Sequence, residues 1–209
     1  VTFTVALAGT VYNWTNNTPS IGLAASGTGN IPAFTALNPS NVAVIATIVV
    51  TPSYTNAGTT CTGASKTFTI TVNPTANVNQ PANQLLCNGS GTAAVNFTGS
   101  VAGTTYSWTN SNTAIGLAAA GTGNIPSFTA TNNTAAPITA TITVPPSAAA
   151  GCTGIPVSFT ITVNPTPSVN AIANQAVCAG SATAAVTISG PVAGTVYTWT
   201  NNNTTIGLG

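Results

Sequence analysis

The side chains that could do chemistry here are few. Across 209 residues there is no Asp, no Glu and no His, and the one basic side chain is Lys66. General acid–base catalysis needs a group titrating near the working pH, and a Ser or Thr nucleophile needs a neighbouring base. Neither exists, so the chain is expected to be no enzyme, with no catalytic residues and no cofactor. Four cysteines remain: Cys61, Cys87, Cys152 and Cys178. A tetrahedral zinc shell cannot be completed from two cysteines per repeat without His, so no metal site is expected either.

The cysteine spacing carries a second message. Cys61 and Cys152 are 91 positions apart, as are Cys87 and Cys178, which points to an internal repeat. Gly9-Thr-Val-Tyr-Asn-Trp14-Thr-Asn recurs as Gly103-Thr-Thr-Tyr-Ser-Trp108-Thr-Asn and as Gly194-Thr-Val-Tyr-Thr-Trp199-Thr-Asn, at spacings of 94 and 91. Ile21-Gly-Leu, Ile115-Gly-Leu and Ile206-Gly-Leu follow in step, and Phe68-Thr-Ile-Thr-Val-Asn-Pro74 matches Phe159-Thr-Ile-Thr-Val-Asn-Pro165. The three additional residues of the first copy fall between Ser53 and Cys61, in what reads as a loop. These matches divide the chain into a partial repeat at 1–73 that lacks its N-terminal strands, a complete repeat at 74–164, and the N-terminal half of another at 165–209. There is no initiator Met or signal peptide and the chain starts and stops in mid-pattern, so an interior piece of a longer polypeptide is expected.

The elements that would position these residues are strands. Ile138, Ala140, Ile142 and Val144 alternate with Thr139, Thr141 and Thr143, and Phe159, Ile161 and Val163 alternate with Ser158, Thr160 and Thr162. Period-2 alternation marks half-buried antiparallel strands, and β-branched threonine suits the solvent face of a pleat. Pro126, Pro137, Pro145 and Pro156 sit at the ends of runs, where they block edge pairing that an uncharged surface cannot discourage. About seven short strands per 90 residues and no helical stripe predict an all-β fold: tandem two-sheet, antiparallel β-sandwich repeats of about 91–94 residues. Asn73-Pro74 and Asn164-Pro165-Thr-Pro167 read as short, semi-rigid junctions.

Within such a sandwich, Trp14, Trp108, Trp199 and Tyr106 are expected in the core, as the inward aromatic pins of each repeat. Each repeat owns one early and one late cysteine. A Cys87–Cys152 disulfide would close a loop of about 65 residues, worth roughly 4 kcal/mol in the chain-entropy picture, with Cys61 and Cys178 then paired outside the window. The rival pairing is Cys61 with Cys87 across the junction. Disulfides imply an oxidising, extracellular or cell-surface location.

Other partners are bounded by charge and length. A formal net charge of +1 gives no basic patch for nucleic acid or anionic lipid. The longest largely apolar run, from Val42 to Val50, is far short of the roughly 20 residues of a membrane-spanning helix, so no membrane insertion is expected. Gly121-Thr-Gly-Asn is read as a turn, because no helix follows it to make a phosphate loop. Asn-X-Thr triplets such as Asn13-Trp-Thr15 are expected by chance in so Asn- and Thr-rich a chain.

The segments Thr104-Thr-Tyr-Ser-Trp-Thr-Asn, Ala119-Ala-Gly-Thr-Gly-Asn-Ile and Thr160-Ile-Thr-Val-Asn-Pro-Thr-Pro resemble the PKD-like, immunoglobulin-like tandem repeats of large secreted Bacteroidetes surface proteins, including gliding-motility adhesins. The resemblance implies export by type IX secretion through a C-terminal signal. Where the usual PKD signature reads Trp-Asp-Phe-Gly-Asp-Gly, Trp108 is followed here by Thr-Asn-Ser-Asn, so the resemblance implies architecture rather than an inherited calcium site. Three functions follow as expectations. The first is a stalk or fibre shaft whose partners are neighbouring repeats of the same chain. The second is a subunit of a self-assembling extracellular filament or sheath, in contact with other copies of itself, and the third is a glycan-binding array facing surface glycans.

Overall fold

The computed structural model describes residues 1–4 and 7–208, Ala150 by its backbone only; residues 5, 6 and 209, inside the expected 1–73 and 165–209 segments, lie outside that description. The chain forms two compact units: Val1–Asn79 with Phe97–Ser107 and Val144–Val157, and Gln80–Asn96 with Trp108–Thr143 and Ser158–Gly209. Among the described residues the secondary structure is strand and short 3-10 turns, the all-β class that the alternation predicts.

The first unit holds a five-stranded sheet of β1 (Val11–Asn16), β2 (Ser26–Thr28), β3 (Val44–Asn56), β4 (Thr59–Thr62) and β5 (Lys66–Val72). Its order is β2-β1-β3-β4, with β5 also on β3, and all pairs are antiparallel. Thirteen residues long, β3 carries β1 on one side and both β4 and β5 on the other. Its alternation buries Ala46, Ile48 and Val50, which cluster with Trp14, Ile21, Leu23 and Ile31. Fully burying a Val, Ile or Phe side chain contributes about 1.5–3 kcal/mol, so this cluster is what selects the register Trp14↔Val50 and Ile48↔Phe68. The three additional residues of the first copy do not form the loop expected between Ser53 and Cys61. They lengthen a hairpin: β3 runs on to Asn56 and turns into β4 through Ala57 and Gly58, both at positive φ (46° and 81°). Two such residues make the tight turn whose twist matches the flanking strands.

The other strands are β6 (Gln84–Cys87), β7 (Thr105–Asn110), β8 (Ala120–Thr122), β9 (Ile138–Val144), β10 (Pro146–Ser147) and β11 (Val157–Asn164). They form a sheet of order β10-β7-β9-β11-β6, with β8 on β7. In the first unit β10 pairs with the start of β7, Pro146 opposite Tyr106. In the second, Thr109 and Asn110 at the end of β7 pair with Thr143 and Ile142 of β9. One departure from the purely antiparallel expectation is β6, which runs parallel to β11 with Ile161 opposite Gln84 and Asn164 opposite Cys87. Its Leu-Leu-Cys run has no antiparallel hairpin partner in sequence, and a parallel neighbour requires a long crossover of the kind residues 88–156 supply. Phe159, Ile161, Val163, Ala140 and Ile142 are at most 1% exposed. On the solvent face, hydroxyl pairs cross between strands, Thr139 to Thr162 at 2.9 Å and Thr143 to Ser158 at 3.0 Å. Such pairs contribute about 0.2–1 kcal/mol each without any charge. Among the described residues 165–208 no strand forms, and the regular element there is the 3-10 turn Thr204–Ile206.

Candidate functional site

The feature built more than once is a staple following each Trp strand. On β1, Trp14 and Asn16 point inward, and on β7 Trp108 and Asn110 do the same, with identical burial along both strands. Each indole packs against a glycine of the adjoining strand. A Cβ on Gly27 would collide with Cζ2 of Trp14 and lie 2.6 Å from its Cε2, and Gly121 stands in the same relation to Trp108. Only glycine allows that approach. Each buried Asn then ties down the chain that follows. Asn110 Nδ2 donates to the carbonyls of Leu117 (2.9 Å) and Ala118 (3.2 Å), while its Oδ1 accepts from the Asn112 amide (3.0 Å). Asn16 makes the matching bonds to Leu23, Ala24 and Thr18. Between them a 3-10 turn, Pro19–Ile21 or Thr113–Ile115, buries Ile21 and Ile115 completely. Asn201 repeats part of the pattern, donating to Leu208 and accepting from Asn203. The reading by residue type passed over these asparagines, although Trp-Thr-Asn stands unchanged in all three copies, which was the available signal.

Trp14 (5% exposed) and Trp108 (7%) are core residues as expected. Among the described residues, neither Nε1 has a hydrogen-bond partner, so within the chain each indole is held by packing. Tyr106 is half-buried, its ring 5.7 Å from that of Phe97, and burial raises its phenol above the ordinary tyrosine pKa. Trp199, the third of the expected core indoles, is 56% exposed. The indoles of the first two copies are closed over by β2 or β8, and residues 200–208 contain no counterpart of those strands.

The cysteines also need correction. All four are free, so neither the Cys87–Cys152 bridge nor the Cys61–Cys87 alternative is made. Cys87 is an exposed residue at the end of β6 in the second unit. Cys152 belongs to the first, where it packs on Ala76, Val101 and Ala148 as a small apolar side chain. Among the described residues no three Cys, His, Asp or Glu gather into a group that could hold a metal, and no helix is long and apolar enough to cross a membrane.

One concave surface is lined by aromatic side chains. In the first unit, Phe3, Tyr12, Val50, Lys66 and Phe68 line a groove of about 310 Å³. The rings of Phe3 and Tyr12 are 5.2 Å apart and tilted by 41°, and the Tyr12 hydroxyl donates to the Thr4 carbonyl at 2.6 Å. With no Asp, Glu or His side chain in the chain, the polar groups on this groove are the Lys66 ammonium, the Tyr12 hydroxyl and the hydroxyls of Thr2 and Thr4.

No curated protein matches the chain. Residues 84–167 match the family model described as a PKD-like domain, which agrees with the sheet architecture and with a typically non-catalytic domain type that is commonly extracellular. Over that span, two fifths of its length, the chain is similar to PKD-like domains.

Proposed function

We propose that this chain is a structural shaft: a piece of the tandem-repeat stalk of a large extracellular surface protein, of the kind that gliding Bacteroidetes export by type IX secretion. Its repeats would be divided at 74 and 165 and would contact one another along the chain. The observation behind this reading is the Trp–Gly–Asn staple, built twice in the same geometry under an uncharged Thr- and Asn-rich surface. A module copied for its packing, with no acid or base in it, serves length and rigidity. The experiment is to vary repeat number in the parent protein and measure, by electron microscopy of intact cells, how far its distal end stands from the surface. Distance should rise in proportion to repeat number. Direct binding of the purified 209-residue chain to a glycan array would overturn this reading in favour of a glycan-binding array.

A second reading, a subunit of a self-assembling filament or sheath, is favoured by one observation. The surface has almost no charge to repel a second copy.

A further inference from the structure

The complete repeat is closed by two strands that run the same way. β6 lies parallel to β11, with Ile161 opposite Gln84, Thr162 opposite Leu85, Val163 opposite Leu86 and Asn164 opposite Cys87. Side-chain amides carry the contact past both ends of this ladder. Before it, Asn83 Oδ1 accepts from the Thr160 amide at 2.8 Å, and Gln80 Nε2 donates to the Ser158 carbonyl at 2.8 Å. After it, the Asn88 amide donates to the Asn164 carbonyl at 2.8 Å, and Asn88 Nδ2 donates to Thr166 Oγ1 at 3.3 Å. Gln84 is fixed in turn by two bonds to Ala93, at 3.0 and 2.9 Å. The seam thus runs from Gln80 to Asn88 on one side and from Ser158 to Thr166 on the other, all within the second unit.

The chain enters this seam from residues 1–79 and leaves it toward residues 167–209. Tension along the chain therefore draws Gln80 back, away from the start of β6, and draws Thr166 forward, away from the end of β11. In a parallel pair those two pulls are opposed along the strand axis, so they slide one strand over the other. Sliding strains every bond of the seam together, whereas a pair loaded at one end opens bond by bond. Gln80 and Asn83 are exposed, and what they add is two further bonds to the backbone of the opposite side, across the line of sliding.

We propose that the seam between Gln80–Asn88 and Ser158–Thr166 is a mechanical clamp that resists extension of the chain, with Gln80, Asn83 and Asn88 as its side-chain latches. The inference deepens the shaft reading and rests on it for the tension, while the strength of the clamp is a property of the unit itself. When the seam slips, the residues from Gln80 to Thr166 release about 300 Å of chain in one step.

The test is single-molecule stretching of the 209-residue chain at constant force, reading the lifetime before the step of about 300 Å. Held by its two ends, the unaltered chain should show that step as one discrete event. Asn83→Ala and Gln80→Ala should each shorten the lifetime by about 2- to 10-fold, the effect of one lost hydrogen bond on a rate. Thr139→Val is the control: it removes the hydroxyl pair between Thr139 and Thr162, which ties β9 to β11 outside the seam, and should leave the lifetime unchanged. Calorimetry on each variant confirms that it is folded. Moving one handle from the C-terminal end to an azide-bearing residue in place of Ile155, which is 85% exposed, pulls β11 from the same end as β6. At the same force that direction should give a shorter lifetime than either variant held by its ends. Equal lifetimes in the two directions, or no change in both Asn83→Ala and Gln80→Ala, would overturn the clamp and leave the shaft reading to its own test. Resistance as expected in the purified chain, with no dependence of standoff distance on repeat number in cells, would uphold the clamp and overturn the shaft reading alone.

Discussion

Placing a single methyl group on Gly121 tests whether the staple holds the core. In Gly121→Ala the new Cβ would collide with Cζ2 of Trp108, lie 2.6 Å from Cε2 and 3.0 Å from Cη2. Ordinary contact begins near 3.4 Å, so the ring or the strand must move by more than an ångström. The ring cannot swing aside, because it is 7% exposed and planar. Overpacking a well-filled core costs about 1–3 kcal/mol. At about 4–8 °C per kcal/mol for a domain of this size, the melting temperature should fall by about 4–24 °C, read by calorimetry and by loss of the near-ultraviolet signal of the buried indole. Gly91→Ala is the control, since a Cβ there meets nothing within 4 Å and no positive φ is involved; it should be neutral or slightly stabilising. If Gly121→Ala melts with Gly91→Ala, the close approach of Trp108 is not a constraint and the reasoning about the staple is wrong.

Asn110→Ala removes three hydrogen bonds and leaves the buried carbonyl of Leu117 without its donor, so it should cost about 1–3 kcal/mol in a denaturant titration. Asn110→Asp introduces a carboxyl facing two carbonyls, which raises its folded pKa above the unfolded value of about 3.9. Stability should then be fullest below about pH 4 and fall as pH rises through the folded value; equal stability at pH 3 and pH 7 would refute this orientation of the side chain. The unaltered chain has no Asp, Glu or His and should keep a nearly constant melting temperature from about pH 4 to pH 8. Because burial raises the Tyr106 phenol, its contribution is complete below about pH 10 and lost as pH rises through the raised value, a loss that Tyr106→Phe should lessen. Acrylamide should quench Trp199 and spare Trp14 and Trp108, so Trp199→Phe should abolish most of the quenchable emission.

By itself, the sequence determined what the chain lacks and how it is patterned. The composition removes carboxylates and imidazoles from any site whatever the fold. Strict alternation from Ile138 to Val144 and from Phe159 to Val163 commits those residues to strands, because a period of two serves no helix. The buried places of Trp14 and Trp108 follow from the same alternation, and the asparagines beside them were legible as repeats though not as staples. Tertiary structure alone decided whatever depends on a partner distant in sequence. Identical stretches give a fully buried inward face in β11, which has the parallel strand β6 beside it, and a half-buried one in β5. The cysteines repeat at a spacing that suggested bridges, but a disulfide depends on how two sulfurs meet in space, and the fold leaves all four thiols free.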